Sequence, residues 1–567
     1  MGSLRIAAAQ LNPVVGDLAG NVSMILNALQ AATEAGADLL VTPELALTGY
    51  PPEDLLLKEA FISEVDGAIA AIVAATTTCA IVLGTPLAGA LAGPLGPTRD
   101  ARSPVGPASE GPRRPLANGA VIAVNGVILG TVAKQFLPNY GVFDEQRWFQ
   151  PSTAPAQTFA IGTSTVGVVI CEDLWADGPS AAVADLGADV ICAINASPFS
   201  VGRHDAREAL AQARAAATST SILYVNQVGG QDELVFDGQS FLATATGTVA
   251  RARAFAPELL LIDDLATAQG PLAERRNDLA ETYDALVLGV ADYFAKNRFS
   301  DAVIGLSGGI DSSLVAAVAV DALGAEHVHG VAMPSRYSSD GSLTDADALA
   351  ERLGVTCDTI PIEPGHVAFS DMLRPLLGGD PTGLTDENLQ SRLRGVTLMA
   401  LSNAKGWIVL TTGNKSEMAV GYSTLYGDSA GGFAVIKDCV KTLVYDLCRY
   451  RNELASTAGQ VPPIPEAVLT KPPSAELRPD QRDDQSLPPY AILDPIIEAY
   501  VEDDLTAPEI VALGFDAATV DRVVGLIDGA EYKRRQSPLG VRITTKAFGR
   551  DRRLPITNRY RPRGTAS

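Results

Sequence analysis

At 567 residues the chain is long enough for about two to four domains with separate cores, and its 47% apolar content includes no uninterrupted run able to span a bilayer. A net charge of −23 argues against broad binding to nucleic acid or an anionic membrane, so an anionic substrate must meet a local basic pocket. Six cysteines without a Cys-x-x-Cys pair fit a reducing cytoplasm and argue against structural zinc, while four histidines leave the chemistry to Lys, Glu and Cys.

The N-terminal stretch lacks a signal-peptide layout and reads as a first strand, Leu4–Leu11. A helix over Asn21–Ala35, stopped by Gly36, leads to a strand over Asp38–Glu44. A helix over Glu59–Ala75 precedes the strand Ala80–Thr85, and Gly89–Leu116, rich in Gly, Pro, Ser and Arg, reads as a flexible insertion. Asn125-Gly126 predicts a tight hairpin turn between two apolar runs, the second ending at Lys134. Strands over Thr165–Ile170 and Val190–Asn195 bracket a helix after Gly178, and a further hairpin is expected over Leu234–Arg253. Ile262–Asp278 reads as a linker, which sets expected domains of 1–270 and 271–567.

Glu44, Lys134 and Cys171 each close an apolar strand, and strand ends in an α/β sandwich converge on one face. A cysteine beside a lysine and a helix N-terminus is expected to have a lowered pKa and to be nucleophilic. Glu44 can take and return its proton, and Lys134 can stabilise the oxyanion formed when an amide is attacked.

In the second half a helix over Asp278–Asn297 leads to the strand Asp301–Leu306 and then to Gly305-Leu-Ser-Gly-Gly-Ile-Asp-Ser-Ser313, where a helix begins. Two glycines let backbone amides converge on an anion, and the helix start adds unpaired N–H groups and its positive dipole end. Ser307, Ser312 and Ser313 add hydroxyls, and Asp311 can hold a magnesium ion, so the stretch reads as a pyrophosphate cradle distinct from a Walker A loop. Strands over Val328–Met333, Val355–Ile362 and Trp407–Leu410 alternate with helices over Thr344–Leu353, Val367–Leu377 and Asp386–Ala404. That alternation predicts a doubly wound parallel sheet with the cradle at a strand's carboxyl end. Pro462–Pro489 is rich in Pro and charge, and the run from Tyr532 to Arg553 is strongly basic.

Longer strings carry family resemblances. Pro43–Pro52, Lys134–Glu145 and Cys171-Glu-Asp-Leu-Trp175 resemble the signature regions of nitrilase-type amidohydrolases. The resemblance implies an αββα sandwich with Glu44, Lys134 and Cys171 as triad and Glu145 orienting the lysine. Asn195–Arg203 resembles the segment that holds glutamine in glutaminase members, implying substrate contacts from Tyr140, Ser197 and Arg203. Arg203 stands where relatives often have Lys, and His204 reads as a hydrogen-bonded neighbour rather than a catalyst.

The SGGIDSS loop resembles that of the ATP pyrophosphatases, whose fold is adenine-nucleotide-alpha-hydrolase-like. Asn388–Arg394, Thr411–Glu417, Gly421–Asp428 and Gly431–Thr442 narrow the resemblance to NAD synthetases. It implies ATP contacts from Gly305, Leu306, Ser307, Gly308, Gly309, Ile310, Asp311, Ser312 and Thr412, and Mg2+ on Asp311 and Glu417. It also implies deamido-NAD contacts from Asn388, Arg392, Glu417 and Lys533, with Asp428, Lys437 and Lys441 as further candidates. By the same resemblance Pro462–Pro489 orders over ATP.

A nitrilase-type glutaminase fused to such a domain resembles the glutamine-dependent NAD synthetase family, from Leu4 to about Asn558. The resemblance implies a cytoplasmic, homo-oligomeric ligase with glutamine, deamido-NAD and ATP as partners, and neither nucleic acid nor membrane. The nicotinate carboxylate is a poor electrophile, so ATP activates it as an acyl adenylate before ammonia displaces AMP. Alternatives are an ATP pyrophosphatase that modifies RNA, which the acidity disfavours, and a non-catalytic scaffold of the same folds, which the intact candidate residues disfavour.

Overall fold

The computed structural model describes residues 4–96, 115–265, 267 and 269–556. The chain divides into two compact units, Met1–Gln231 with Val235–Arg276, and Asp232–Leu234 with Asn277–Ser567.

In the first unit one sheet has the spatial order Glu258–Ile262, Ile6–Gln10, Leu39–Val41, Ala80–Ala88, Leu116–Val124 and Val127–Ala133. A second sheet runs Gly247–Arg251, Phe241–Thr244, Ser221–Asn226, Val190–Asn195, Ser164–Ile170 and Thr158–Ile161. Side chains alternate along each strand, so Ile6 and Ala8 face one side of their sheet and Ala7 and Ala9 the other. Ile6, Leu39, Val82 and Ile122 meet Val168, Cys192, Leu223 and Leu242 in the core between the sheets. Helices Leu18–Glu34 and Glu59–Ala75 cover the outer face of the first sheet, and Pro179–Asp185 with Arg203–Thr218 cover that of the second.

The first of these helices shows how the sequence dictates the layer. Asp17 caps it by accepting from the Gly20 N–H at 2.9 Å, and Asn21, Ile25, Leu29 and Ala32 then recur on one buried face. Burying side chains such as Ile25 and Leu29 stabilises by about 1.5–3 kcal/mol each. The layers are therefore α, β, β, α.

Two expectations for this half change. Leu234–Arg253 is not one hairpin: Leu234–Asp237 pairs with Val228–Gln231, and Phe241–Thr244 pairs with Gly247–Arg251. Gly238 breaks the run at φ +68°, where a Cβ would lie 2.3 Å from the Gln10 side chain. The expected linker still belongs in part to the first unit, because Leu272 bridges Arg251 before the helix Asp278–Asn297 begins. Of the expected insertion, Gly89–Ala92 forms a 3-10 turn, Leu95 bridges Ser152, and residues 97–114 lie outside the described residues.

The second unit holds a five-stranded sheet ordered Thr356–Thr359, Val328–Ala332, Ala302–Gly305, Ile408–Thr411 and Phe433–Ala434, parallel throughout. Strand order reverses between Ala302–Gly305 and Ile408–Thr411, the switch point at which such sheets bind ligands beyond the strands' carboxyl ends. The SGGIDSS loop leaves the first of these strands, and Thr412 follows the second. Helices Tyr490–Val501, Ala507–Ala512 and Ala517–Gly529 pack Leu493, Ile497, Ile510 and Val524 against Met418 and Val420. That core fixes the short helix Lys415–Val420, which carries Glu417.

Candidate active sites

In the first unit the three strand-end residues come together, fully or almost fully buried: Glu44 and Lys134 at 0% exposure and Cys171 at 5%. Lys134 Nζ donates to Glu44 Oε1 at 2.7 Å and to Glu145 Oε1 at 2.9 Å. Asn118 Nδ2 donates to Glu44 Oε1 at 2.7 Å, and the Ala196 N–H donates to Glu44 Oε2 at 3.0 Å. The Tyr50 hydroxyl donates to Glu145 Oε1 at 2.9 Å. Cys171 makes the turn between strand Ser164–Ile170 and helix Glu172–Trp175 with φ at 48°, a strained conformation for a residue with a Cβ.

Electrostatics correct one expectation. The Cys171 thiol is not lowered but pushed well above its usual pKa, by burial first and by Glu44 next, with Lys134 pulling the other way. It rests as a thiol and needs a base. Burial also lifts Glu145 to about 7 against the pull of Lys134. Burial disfavours charge on Lys134 too, but Glu145 and Glu44 outweigh it and keep the ammonium.

The residues expected at the glutamine are tied to the segments that follow Cys171 and Asn195. Tyr140 OH donates to Glu172 Oε2 at 2.9 Å, and the Arg203 guanidinium stands 4.4 Å over the Trp175 ring. Ser197 is buried, and its Oγ accepts from Arg207 Nε at 3.1 Å. Arg207 also donates to the carbonyls of Ser197 and Pro198 and to both Asp237 oxygens, each at 2.7 Å. His204 Nε2 lies 3.1 Å from Glu208 Oε1, as a neighbour rather than a member of the triad.

Several contributors were missed in the sequence. Asp173 accepts from the backbone N–H groups of Gln135 and Phe136 at 3.0 and 2.9 Å, tying the Lys134 segment to the Cys171 turn. Asn118, Tyr50 and Arg207 lie far in sequence from the groups they hold. Asn118 shows in the sequence only as a polar residue in an apolar strand, Tyr50 lies within the Pro43–Pro52 string, and nothing marks Arg207 among the charged residues of its helix.

In the second unit Gly308 takes φ +69°, and a Cβ there would come within 2.1 Å of the Ser342 carbonyl oxygen. Ser307 Oγ accepts from the Gly309 N–H at 3.2 Å, and Ser312 Oγ and Ser313 Oγ both donate to the Gly309 carbonyl. Gly309 caps helix Ile310–Leu323 without a side-chain bond, so the first-turn amides face the loop. Asp311 Oδ1 accepts from Asn414 Nδ2 at 2.9 Å. Lys441 Nζ reaches Asp311 Oδ2 at 2.5 Å and Glu417 Oε1 at 3.6 Å. Burial and the Asp311 charge push Glu417 up to about 8, with Lys441 opposing.

Among the described residues no group of three metal-ligating side chains converges. Asp311 and Glu417 nevertheless fit Mg2+, which takes one or two protein carboxylates and completes its shell with phosphate and water. Asn388 Oδ1 accepts from Thr424 Oγ1 at 2.7 Å, and Arg392 Nε donates to the Leu425 carbonyl at 3.1 Å. Lys533 Nζ donates to the Gly421 and Ser423 carbonyls, both at 2.7 Å, and Lys437 Nζ to that of Pro538 at 2.7 Å. Asp428 accepts from the Thr424 N–H at 2.7 Å. Asn388, Arg392, Asp428 and Lys533 thus gather around the Gly421–Asp428 loop. The Pro462–Pro489 segment is folded down, with Glu476 accepting from Ser342 Oγ at 2.7 Å and Ser339 Oγ at 3.0 Å.

The carbon-nitrogen hydrolase family model matches residues 5–270, and the NAD synthase model matches residues 282–537. The glutamine-dependent NAD(+) synthetase of Rhodobacter capsulatus is 44% identical over 98% of this chain and 99% of its own. That of Synechocystis sp. is 43% identical over 99% of this chain and 100% of its own. The chain belongs to the glutamine-dependent NAD(+) synthetase family. A solved member from Acinetobacter baumannii, in complex with ADP, is 39% identical with a TM-score of 0.75 and covers 98% of this chain and 99% of that one. A member from Cytophaga hutchinsonii matches the fold at a TM-score of 0.82, with 23% identity over 98% of both chains. The sandwich of the first unit is accordingly nitrilase-like, and the parallel sheet of the second is that of an NAD synthase.

Proposed function

We propose that the chain is a ligase that hydrolyses glutamine in its first unit and amidates adenylated deamido-NAD in its second, yielding NAD, AMP, pyrophosphate and glutamate. The observation that carries this reading is likeness to glutamine-dependent NAD(+) synthetases over 98–99% of the chain, both halves included.

Cys171 Sγ attacks the side-chain amide carbon of glutamine while Glu44 takes the thiol proton. The raised thiol pKa supports a base-assisted attack rather than a standing thiolate. The Lys134 ammonium, held by Glu44 and Glu145, faces the developing oxyanion. Glu44 returns the proton to the departing ammonia and then activates the water that cleaves the thioester. Arg203 pairs with the substrate α-carboxylate, Ser197 and Tyr140 hold the amino-acid portion, and Glu172 offers its charge to the α-ammonium.

In the second unit the Gly305–Ser312 loop cradles the ATP phosphates, with Thr412 at the neighbouring strand end. Asp311 and Glu417 would hold Mg2+, which when bound neutralises charge on the departing pyrophosphate. Asn388, Arg392, Glu417 and Lys533 hold deamido-NAD so that its carboxylate attacks the α-phosphorus. Ammonia then attacks the acyl carbon, and AMP leaves.

Among the described residues no helix is long and apolar enough to cross a membrane. A cytoplasmic location is supported by six free cysteines. Homo-oligomerisation is supported by exposed apolar residues on helices Glu363–Leu377 and Leu384–Lys405, including Met372, Leu376, Leu384 and Val396. RNA modification or a scaffold role leaves the carbon-nitrogen hydrolase match and the buried Glu44–Lys134 pair without a purpose. Steady-state assay with deamido-NAD, ATP and glutamine is expected to give NAD. A folded protein that makes none, or one that binds RNA in a salt-dependent way, overturns the reading.

A further inference from the structure

Lys441 opens helix Lys441–Thr457 and is 2% exposed. Its ammonium lies between Asp311 Oδ2 and Glu417 Oε1, at 2.5 and 3.6 Å, and 5.5 Å from the Tyr490 ring centroid. A third carboxylate, Asp483, also acts on this ammonium. Asp483 is 5% exposed; it accepts from the Tyr490 hydroxyl at 2.8 Å, and its Oδ1 has no hydrogen-bond partner. Two carboxylates thus flank one ammonium, and Asp483 adds its field to theirs.

The lysine is also anchored. Its backbone N–H donates to Ser416 Oγ at 2.8 Å, and Ser416 Oγ donates to Asp494 Oδ1 at 2.6 Å. Asp494 Oδ2 accepts from the Thr442 N–H at 2.8 Å. These bonds fix the start of the helix, so the flexible stem of Lys441 can move its ammonium while the backbone stays in place.

We propose that Lys441 Nζ is the resting-state occupant of the divalent-cation position between Asp311 and Glu417. The ammonium bars the bare cation, and yields the carboxylates when a triphosphate arrives with the metal and offers Nζ new anionic partners. This rests on the assignment of Asp311 and Glu417 to Mg2+ made above. Its consequence is order: the metal enters with the nucleotide, not before it.

Mn2+ binding to the full-length protein, followed by the electron paramagnetic resonance of the free ion, tests this without any turnover. Wild type is expected to bind Mn2+ weakly in the absence of ATP. Lys441→Met is expected to bind it about tenfold or more tightly, because a nearby cation lowers a carboxylate's affinity even for a proton by about one to three decades and repels a dication more strongly. Lys441→Gln, which keeps a donor and the packing, is expected to show the same gain, and Lys441→Arg, which keeps the charge, none. Adding Asp311→Asn to either neutral variant should remove the gain. If both neutral variants bind Mn2+ no more tightly than wild type while Mn2+–ATP binding still needs Asp311, the proposal is overturned and the metal assignment stands. If Asp311→Asn and Glu417→Gln bind Mn2+–ATP as wild type does, the metal assignment fails and the proposal with it.

Discussion

Lys134 Nζ lies 2.7 Å from Glu44 Oε1, and both side chains are sealed from solvent. A buried ion pair repays desolvation only when its remaining donors and acceptors are also satisfied. Here Glu145, Asn118 and the Ala196 amide do that.

Lys134→Met should therefore lower glutaminase kcat by about a hundredfold or more, the scale of losing one preorganised donor. It also strands two buried carboxylates, so the variant should melt earlier than wild type, by about 3–5 kcal/mol of stability. Lys134 pulls the Cys171 thiol down, so alkylation of Cys171 at neutral pH should slow further. Unchanged alkylation and unchanged glutaminase rates would remove Lys134 from the site.

Arg207 makes a separate case. Its guanidinium fastens the Ser197 loop to Asp237 inside the fold. Arg207→Met should raise the glutamine KM by about tenfold and lower stability by about 3–5 kcal/mol, with ammonium-driven synthesis retained in the folded fraction. An unchanged glutamine KM would show that the pair serves stability alone.

Glu417 predicts a pH effect on the second unit. Its folded pKa of about 8 lies above the usual 4.5, so between those values the folded state keeps a proton that the unfolded chain has lost. Stability from this group is full below about pH 4.5 and falls as pH rises towards 8. Glu417→Gln removes the titration. Wild type should lose a few degrees of Tm relative to that variant between the two ends of the window, and parallel Tm curves would contradict this.

The sequence announced some of this arrangement and concealed the rest. Glu44, Lys134 and Cys171 each end an apolar strand, and sheet geometry gathers strand ends, but it is the family resemblance of the strings around them that singles them out. The cradle was legible because Gly308 and Gly309 sit between a strand and a helix in consecutive residues. Asn118 and Arg207 were not, since nothing local marks a contact across 74 or 30 positions. The thiol pKa was misjudged for a related reason. Neighbouring charges can be inferred from motifs, but complete burial of Cys171 is a property of the packed sandwich. Gly238 hid the break between two hairpins, because the Gln10 side chain packed against it comes from the first strand, far earlier in the sequence.

Asp311→Asn should abolish pyrophosphate release with either glutamine or ammonium as nitrogen donor, because adenylation precedes the use of ammonia. Losing one charged magnesium ligand in a site of this kind is expected to cost about a hundredfold or more. Normal pyrophosphate release by the folded variant would place Asp311 outside the reaction.

On the proposed mechanism one chain performs two separable chemistries, with Cys171 serving only the supply of ammonia. The most direct measurement is NAD formation by Cys171→Ala, on one preparation, with glutamine and then with an ammonium salt. No detectable glutamine-dependent synthesis is expected, with ammonium-dependent synthesis near the wild-type rate. Loss of both activities in a folded variant, or retention of the glutamine-dependent one, would contradict it.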